Sequence, residues 1–385
     1  MDVKKDIDHY FEQMVAHKAS DLYLTFDSPP SIRIGDSIMA IGETPLDDDH
    51  LTALMESITN DFQRDEFMST LELNLSLDWR NKSRFRVNIF RQQGHISIVT
   101  RRIQMDIPTL EELHLPPLYG ELVMQKRGLI LIVGQTGSGK TSSITAMVGH
   151  RNRFGSGHII TVEDPIEFIH QHDQCIISQR DVGVDTYSYA IALKNALRQR
   201  PDLVVIGEIR DREVMEQAIY FAETGHLCIA TLHASNSSQA IERVLNFFPE
   251  ERHKQVLFNL ANNLRAILSQ RLVRNVEGSR SLACEILINS GLIKTLIEEN
   301  KVRQIREMVE KGTTDGMHTF DQHLFDLVKL GMITEEVALS DSDNQANLRL
   351  RFNNERGTSK TMSHGLLIKR SAIEEAQKKG ETSNF

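Results

Sequence analysis

Two patterns of apolar residues divide this chain. Through roughly the first hundred positions, apolar residues either alternate with polar ones or recur at helical spacing. Asp6–Lys18 places Ile7, Phe11, Met14 and Val15 on one face, which predicts an amphipathic helix. In Ser20–Phe26, Leu22, Leu24 and Phe26 alternate as on a half-buried strand. Pro29-Pro30 and Gly35-Asp36 then punctuate two further short strands. Residues 47–71 supply one or two helices. Residues 74–78, 84–92 and 95–103 read as an antiparallel meander with Gly94 in its second turn. Together these predict a small α+β domain over residues 1–103. Pro108, Pro116 and Pro117 mark 104–118 as a linker with one short helix.

Beyond the linker the pattern changes. Mostly apolar strand-length runs at Leu129–Val133, His158–Val162, Leu203–Ile206 and Leu227–Leu232, the first of them uninterrupted, alternate with helical stretches at 142–151, 187–200 and 211–223. Strands buried on both faces read this way, so the pattern predicts a mostly parallel sheet flanked by helices. From Asn236 onward the chain reads as mostly helical. The second domain is set at 119–339, and 340–385 is a polar extension, flexible or loosely helical.

Composition adds exclusions. A net charge of −9 argues against nucleic acid as the principal partner. Cys175, Cys228 and Cys284 lie far apart without a CxxC pair, and read as buried small hydrophobes in a reducing compartment. The N-terminus lacks the apolar core of a signal peptide, and no apolar run approaches a bilayer span. A cytoplasmic protein with no transmembrane segment is expected.

The chemistry begins at Gly128–Thr141, an apolar strand that breaks into a glycine-rich loop. Gly134, Gly139, Lys140 and Thr141 stand at P-loop spacing, so Gly134, Gln135, Thr136, Gly137, Ser138, Gly139, Lys140, Thr141 and Ser142 are the nucleotide-binding candidates. Glycines let backbone N–H groups turn onto a phosphate, and the following helix points its positive end at the same anion. Lys140 would reach the β- and γ-phosphates, and the Thr141 hydroxyl would ligate Mg²⁺. Hydrolysis of ATP also needs a carboxylate to orient water and accept its proton. Glu163 and Glu208 each end an apolar strand. Strand-end carboxylates also cap turns, but two of them beside a P-loop favour catalysis. His226 and His233 flank one strand, and His233, at its carboxyl end, is the better candidate for touching the γ-phosphate. Arg84, Arg86, Arg101 and Arg102 lie on the last strands of the first domain. They form either a solvated face or arginine fingers over the nucleotide.

These residues carry a resemblance to the type IV pilus retraction ATPases, the PilT/PilU family of secretion ATPases. It covers roughly Ile7 to Leu339. Its motifs are the Walker A loop at Gly134–Thr141 and the acidic box Val162–Phe168. An atypical Walker B at Val204–Asp211 and a histidine box from Thr224 to His233 complete the set. The resemblance implies a PAS-like first domain joined to a RecA-like ATPase domain in a homo-hexameric ring. Glu163 would be the catalytic base, and Glu208 would help hold Mg²⁺, largely through water. Arg86 and Arg101 would be the first-domain arginines that reach the nucleotide. Two departures, Lys294 in Gly291–Leu296 and Arg200 before Pro201-Asp202, look more like the PilU branch. The implied partners are a paralogous retraction ATPase hexamer and the pilus platform protein, at the cytoplasmic face of the inner membrane. The competing readings are a pilus assembly or type II secretion ATPase and a RecA-like nucleic-acid motor.

Overall fold

Helix α1 (Val3–Ala16) lays Ile7, Phe11 and Met14 into a core built on the face of an antiparallel sheet. The computed structural model describes residues 3–35, 37–80, 83–103, 106–312 and 316–356. Asp36, Gln104, Met105 and the stretch 357–385 of the expected extension lie outside them. The sheet begins with β1 (Asp21–Thr25), β2 (Ser31–Ile34) and β3 (Ser37–Ala40). Two helices follow, α2 (Asp48–Ile58) and α3 (Asp61–Thr70). They are separate because Asn60 caps α3: its side chain accepts from the Gln63 amide, and the Gln63 side chain accepts from the Asn60 amide in return. The meander is β4 (Glu72–Trp79), β5 (Ser83–Gln92) and β6 (His95–Ile103), and the sheet order is β3-β2-β1-β6-β5-β4. Alternation on β5 buries Phe85, Val87 and Ile89, with Phe85 stacked on Phe11 at 4.3 Å between centroids. Arg84, Arg86 and Asn88 consequently occupy the other face.

The linker helix does not form. Thr109–Leu115 makes one hydrogen-bonded turn, with His114 at φ 53°, and the two prolines deny it further helical bonds. Helix α4 (Leu118–Val123) starts immediately after them.

There follow β7 (Gly128–Gly134), α5 (Lys140–Phe154), β8 (Gly157–Glu163), β9 (Cys175–Asp181), α6 (Tyr189–Ala196), β10 (Leu203–Ile206), α7 (Arg212–Glu223) and β11 (Leu227–Leu232). The strands lie in the order β7-β11-β10-β8-β9, with β10 parallel to both β11 and β8, and β8 parallel to β9. Carboxyl ends therefore converge, which is where an open α/β sheet places its ligands. Helix α6 is shorter than its apolar pattern suggests, because tight turns lead to Arg200 at φ 54° before Pro201.

The remainder is α8 (Ser237–Asn246), α9 (Glu250–Asn263), β12 (Leu264–Arg274), β13 (Arg280–Ile288), α10 (Leu292–Glu298), α11 (Val302–Lys311), α12 (Phe320–Lys329) and α13 (Glu335–Asp341). Helices predominate after Asn236, as expected, but a pair of strands interrupts them. Strands β12 and β13 form a long antiparallel hairpin, from Ala266 opposite Ile288 to Arg274 opposite Arg280. Past Asp341, residues 345–356 are helical, and Leu348 and Phe352 join the core of Phe320, Leu324 and Phe325. Helix content thus continues past residue 340, and here it is packed rather than loose.

By contact density the chain forms two compact units. One comprises Met1–Ile132, Lys140–Leu232 and Val244–Arg265; the other comprises Val133–Gly139, His233–Arg243 and Ala266–Phe385.

Candidate active site

The glycine-rich loop has the backbone that phosphate binding requires. Gly137 and Gly139 take φ of 76° and 87°, the left-handed region open to glycine. A Cβ on Gly134 would lie 2.3 Å from Ser138 Oγ and 2.6 Å from the Gln270 carbonyl oxygen, so only glycine fits. The loop ends at Lys140, the first residue of α5, whose first turn carries no acidic side chain to compete for an anion. Burial pushes the Lys140 ammonium below its ordinary pKa, while the nearby Glu208 carboxylate pulls it back up. Lys140 and Glu208 are thus electrostatically coupled. Thr141 and Ser142 continue the first turn, half-buried.

Glu163 ends β8, two residues after Thr161 and on the same face of the strand. The Thr161 hydroxyl donates to its Oε1 at 2.6 Å, and Gln179 Nε2 donates to the same oxygen at 3.2 Å. Burial is the largest influence on this carboxyl. It lifts the pKa from 4.5 to about 7, against the two donors and with help from Glu167 and Asp181. A carboxylate so placed can take a proton near neutral pH.

Glu208 follows β10 on the neighbouring strand. Arg210 ties it to the acidic box, with Nε 2.6 Å from Glu208 Oε2 and Nη1 2.9 Å from Asp164 Oδ2. The intervening backbone is pinned as well: the Gly207 amide donates to Val162 O, and the Ile209 amide donates to Thr231 O. Thr141 and Glu208 offer the hard oxygen donors that suit Mg²⁺.

The two histidines part company. β10 and β11 run parallel with Leu203 beside Leu227 and Ile206 beside Ala230. His226 therefore stands at the amino end of β11, about 20 Å along the strand from the end that Glu208 shares. There its Nδ1 contacts the Thr224 hydroxyl at 3.0 Å, and its carbonyl accepts from the Gly128 amide. Grouping His226 with Glu163 and Glu208 is corrected by strand direction: within this chain it does not join them. His233 directly follows the carboxyl end of β11 and is exposed.

Arg86 and Arg101 are directly opposite each other on β5 and β6. Each faces an acid: Arg101 Nε lies 2.9 Å from the buried Asp21, and Arg86 attracts the buried Asp181. Both line a cleft of about 610 Å³ with Arg102, Ser142, Glu167 and Phe168. The arginine pair therefore faces the acidic box and the first turn of α5. Gln179 was invisible in the sequence because the apolar run of β9 is only three residues long and ends at Ile177, before Gln179.

Cys175, Cys228 and Cys284 are all buried, as expected of small hydrophobes. Cys284 has a polar role too. Its Sγ lies 3.4 Å from His318 Nε2 and 3.4 Å from His323 Nδ1, and these ligand atoms fall within 4.8 Å of one another. His323 Nδ1 also accepts the Cys284 amide at 2.9 Å, so the cluster secures a strand amide. Among the described residues, no helix is long and apolar enough to cross a membrane.

Comparison with known proteins follows the same lines. Residues 2–376 match the family described as Type II/IV secretion system protein. The type IV pilus ATPase PilU of Pseudomonas aeruginosa is 46% identical over 338 residues, 88% of each chain. The retraction ATPase PilT of that organism is 39% identical over 320 residues, 83% of this chain and 93% of its own. A crystal structure of the pilus retraction motor PilT with bound ADP superposes with a TM-score of 0.83 at 37% identity. It covers 89% of this chain and 98% of the other.

Proposed function

The chain belongs to the Type II/IV secretion system protein family, and from that premise we infer an ATP-hydrolysing motor of type IV pilus retraction, of the PilU kind. Lys140 and the amides of Gly134–Gly139 bind the phosphates of ATP. Glu163 takes a proton from water as the water oxygen attacks the γ-phosphorus, and ADP leaves with the bridging oxygen. Thr141 and Glu208 would hold Mg²⁺, which supplies charge neutralisation at the phosphoryl oxygens when bound. Arg86 and Arg101 reach toward the nucleotide, and His233 toward its γ-phosphate. Both arginines line the cleft that also holds Ser142 from the first turn of α5 and Glu167 of the acidic box, which supports that role.

The working assembly is a homo-hexamer, in which turnover shifts the 1–103 domain against the 119–339 domain. It acts beside a paralogous retraction ATPase hexamer and the inner-membrane platform protein, at the cytoplasmic face. Sizing the purified chain with a Mg²⁺-nucleotide analogue, alone and mixed with a retraction ATPase, tests both associations. A monomer that ignores the second protein refutes them.

The observation that carries the catalytic reading is Glu163, a strand-end carboxyl poised near pH 7 on the strand next to Glu208. Lys140→Ala and Glu163→Gln should each abolish steady-state ATP hydrolysis by the purified chain. Undiminished turnover in either variant overturns the assignment.

A further inference from the structure

Strands β8 and β9 set Thr161 directly beside Gln179 in parallel register, and Glu163 stands two residues on along the same face. Three side chains thus meet on one patch of sheet at the strands' carboxyl ends. Both donors converge on a single oxygen, Glu163 Oε1. Among the described residues no hydrogen bond reaches Oε2. Gln179 is itself fully determined: its Nε2 also donates to the Phe168 carbonyl at 2.9 Å, and its Oε1 accepts from the His170 amide at 2.8 Å. The amide cannot be flipped without setting like against like at all three contacts. Its contacts also anchor both ends of Phe168–His170, the strand-side exit of the acidic box.

We infer that Thr161 and Gln179 are positioning residues that clamp Glu163 by one oxygen and so present the other, Oε2, as the proton acceptor for the attacking water. The inference rests on the reading of Glu163 as the base. Single-oxygen clamping fixes the carboxylate's rotation about its last bond, which is otherwise broad and roughly two-fold. It also selects which lone pairs face the reacting water. Misplacement of a catalytic group by an ångström can reduce turnover about a hundred-fold. The two donors have a second, chemical effect: hydrogen bonds to a carboxylate favour its charged form. They oppose the burial that raises the Glu163 pKa, so the clamp holds that pKa near 7 rather than letting it climb further.

The test is the pH dependence of Mg-ATP hydrolysis by the full chain, compared across Thr161→Val, Thr161→Ser and Gln179→Met. Thr161→Val removes the hydroxyl and keeps the β-branched shape. Thr161→Ser keeps the hydroxyl, and Gln179→Met keeps the length. Ionisation of the nucleotide is common to every variant and cancels in the comparison. Thr161→Val and Gln179→Met should each move the acid limb of kcat/KM upward by about one pH unit. Both should also lower the plateau kcat at least ten-fold while KM changes less. Thr161→Ser should leave the limb at its wild-type pH. A purely structural role would lower the plateau without moving the limb, and that result overturns the clamp. So does a limb that moves equally in Thr161→Ser and Thr161→Val. Glu163→Gln, run alongside, separates the two levels. If it still hydrolyses ATP, the base assignment has failed. If it is inactive while the limb stays fixed in Thr161→Val and Gln179→Met, only the clamp has failed.

Discussion

Glu163→Gln should make the protein more stable at alkaline pH while removing its activity. In the folded chain burial lifts the Glu163 pKa from 4.5 to about 7. The sign follows from proton counting. Between those values the folded protein holds a proton that the unfolded chain has already lost, so stability falls as pH rises through the window. The full contribution, present below pH 4.5 and lost above 7, is about 3 kcal/mol, and about 2.5 kcal/mol of it disappears between pH 5 and pH 8. Glutamine is neutral throughout and retains a carbonyl oxygen for the Thr161 and Gln179 donors, so the substitution isolates the charge. For a chain of this length, that difference corresponds to about 3 °C in melting temperature. Thermal unfolding of the purified wild type and variant should show the variant ahead by about that much more at pH 8 than at pH 5. An advantage that is equal at both pH values, or absent at pH 8, would show that the Glu163 carboxyl is not desolvated, and the argument for a base poised near neutrality would fall with it.

Two further outcomes follow from the packing around the site. Gly207→Ala would set a Cβ 2.9 Å from the Tyr189 hydroxyl and 3.2 Å from Glu163 Cα. It should destabilise the chain by about 1–3 kcal/mol and lower kcat at least ten-fold, and adding Tyr189→Phe should restore part of both in melting and ATPase assays. Arg86→Ala and Arg101→Ala should each lower kcat for Mg-ATP by about a hundred-fold or more if these side chains stabilise the transferring phosphoryl group. A loss under about two-fold in both would confine them to pairing with Asp181 and Asp21.

The first sheet was legible because strands such as β1 and β5 alternate between a buried apolar face and a more exposed polar one, with turns supplied by Gly94 and the prolines. The central parallel strands were legible for the opposite reason, since they are apolar on both faces. The β12–β13 hairpin obeys neither rule. In Leu264–Arg274, Leu264, Ile267, Leu268 and Leu272 recur at three- and four-residue spacing, which fits a helix. Pairing with β13 and burial of both faces through Ala266–Gln270 override that local preference. β9 was hidden differently. Only Cys175, Ile177 and Asp181 of its seven residues are buried, and Ile176 faces out.

That second omission explains why the site was only half readable. A P-loop or a strand-end glutamate is visible in one dimension because its residues are neighbours in sequence. His226 and His233 were both candidates for the same reason, being seven positions apart and flanking one strand, with His233 preferred for its place at the carboxyl end. A strand has direction, however, and six extended residues between them send one histidine to each end of the sheet. Gln179 is the converse case, sixteen positions from Glu163 yet hydrogen-bonded to it, because β8 and β9 are lateral neighbours. Residues that supply the bonds broken and formed are marked by type and spacing. Those that orient them are marked by register, which becomes readable only once the strand that carries them has been placed.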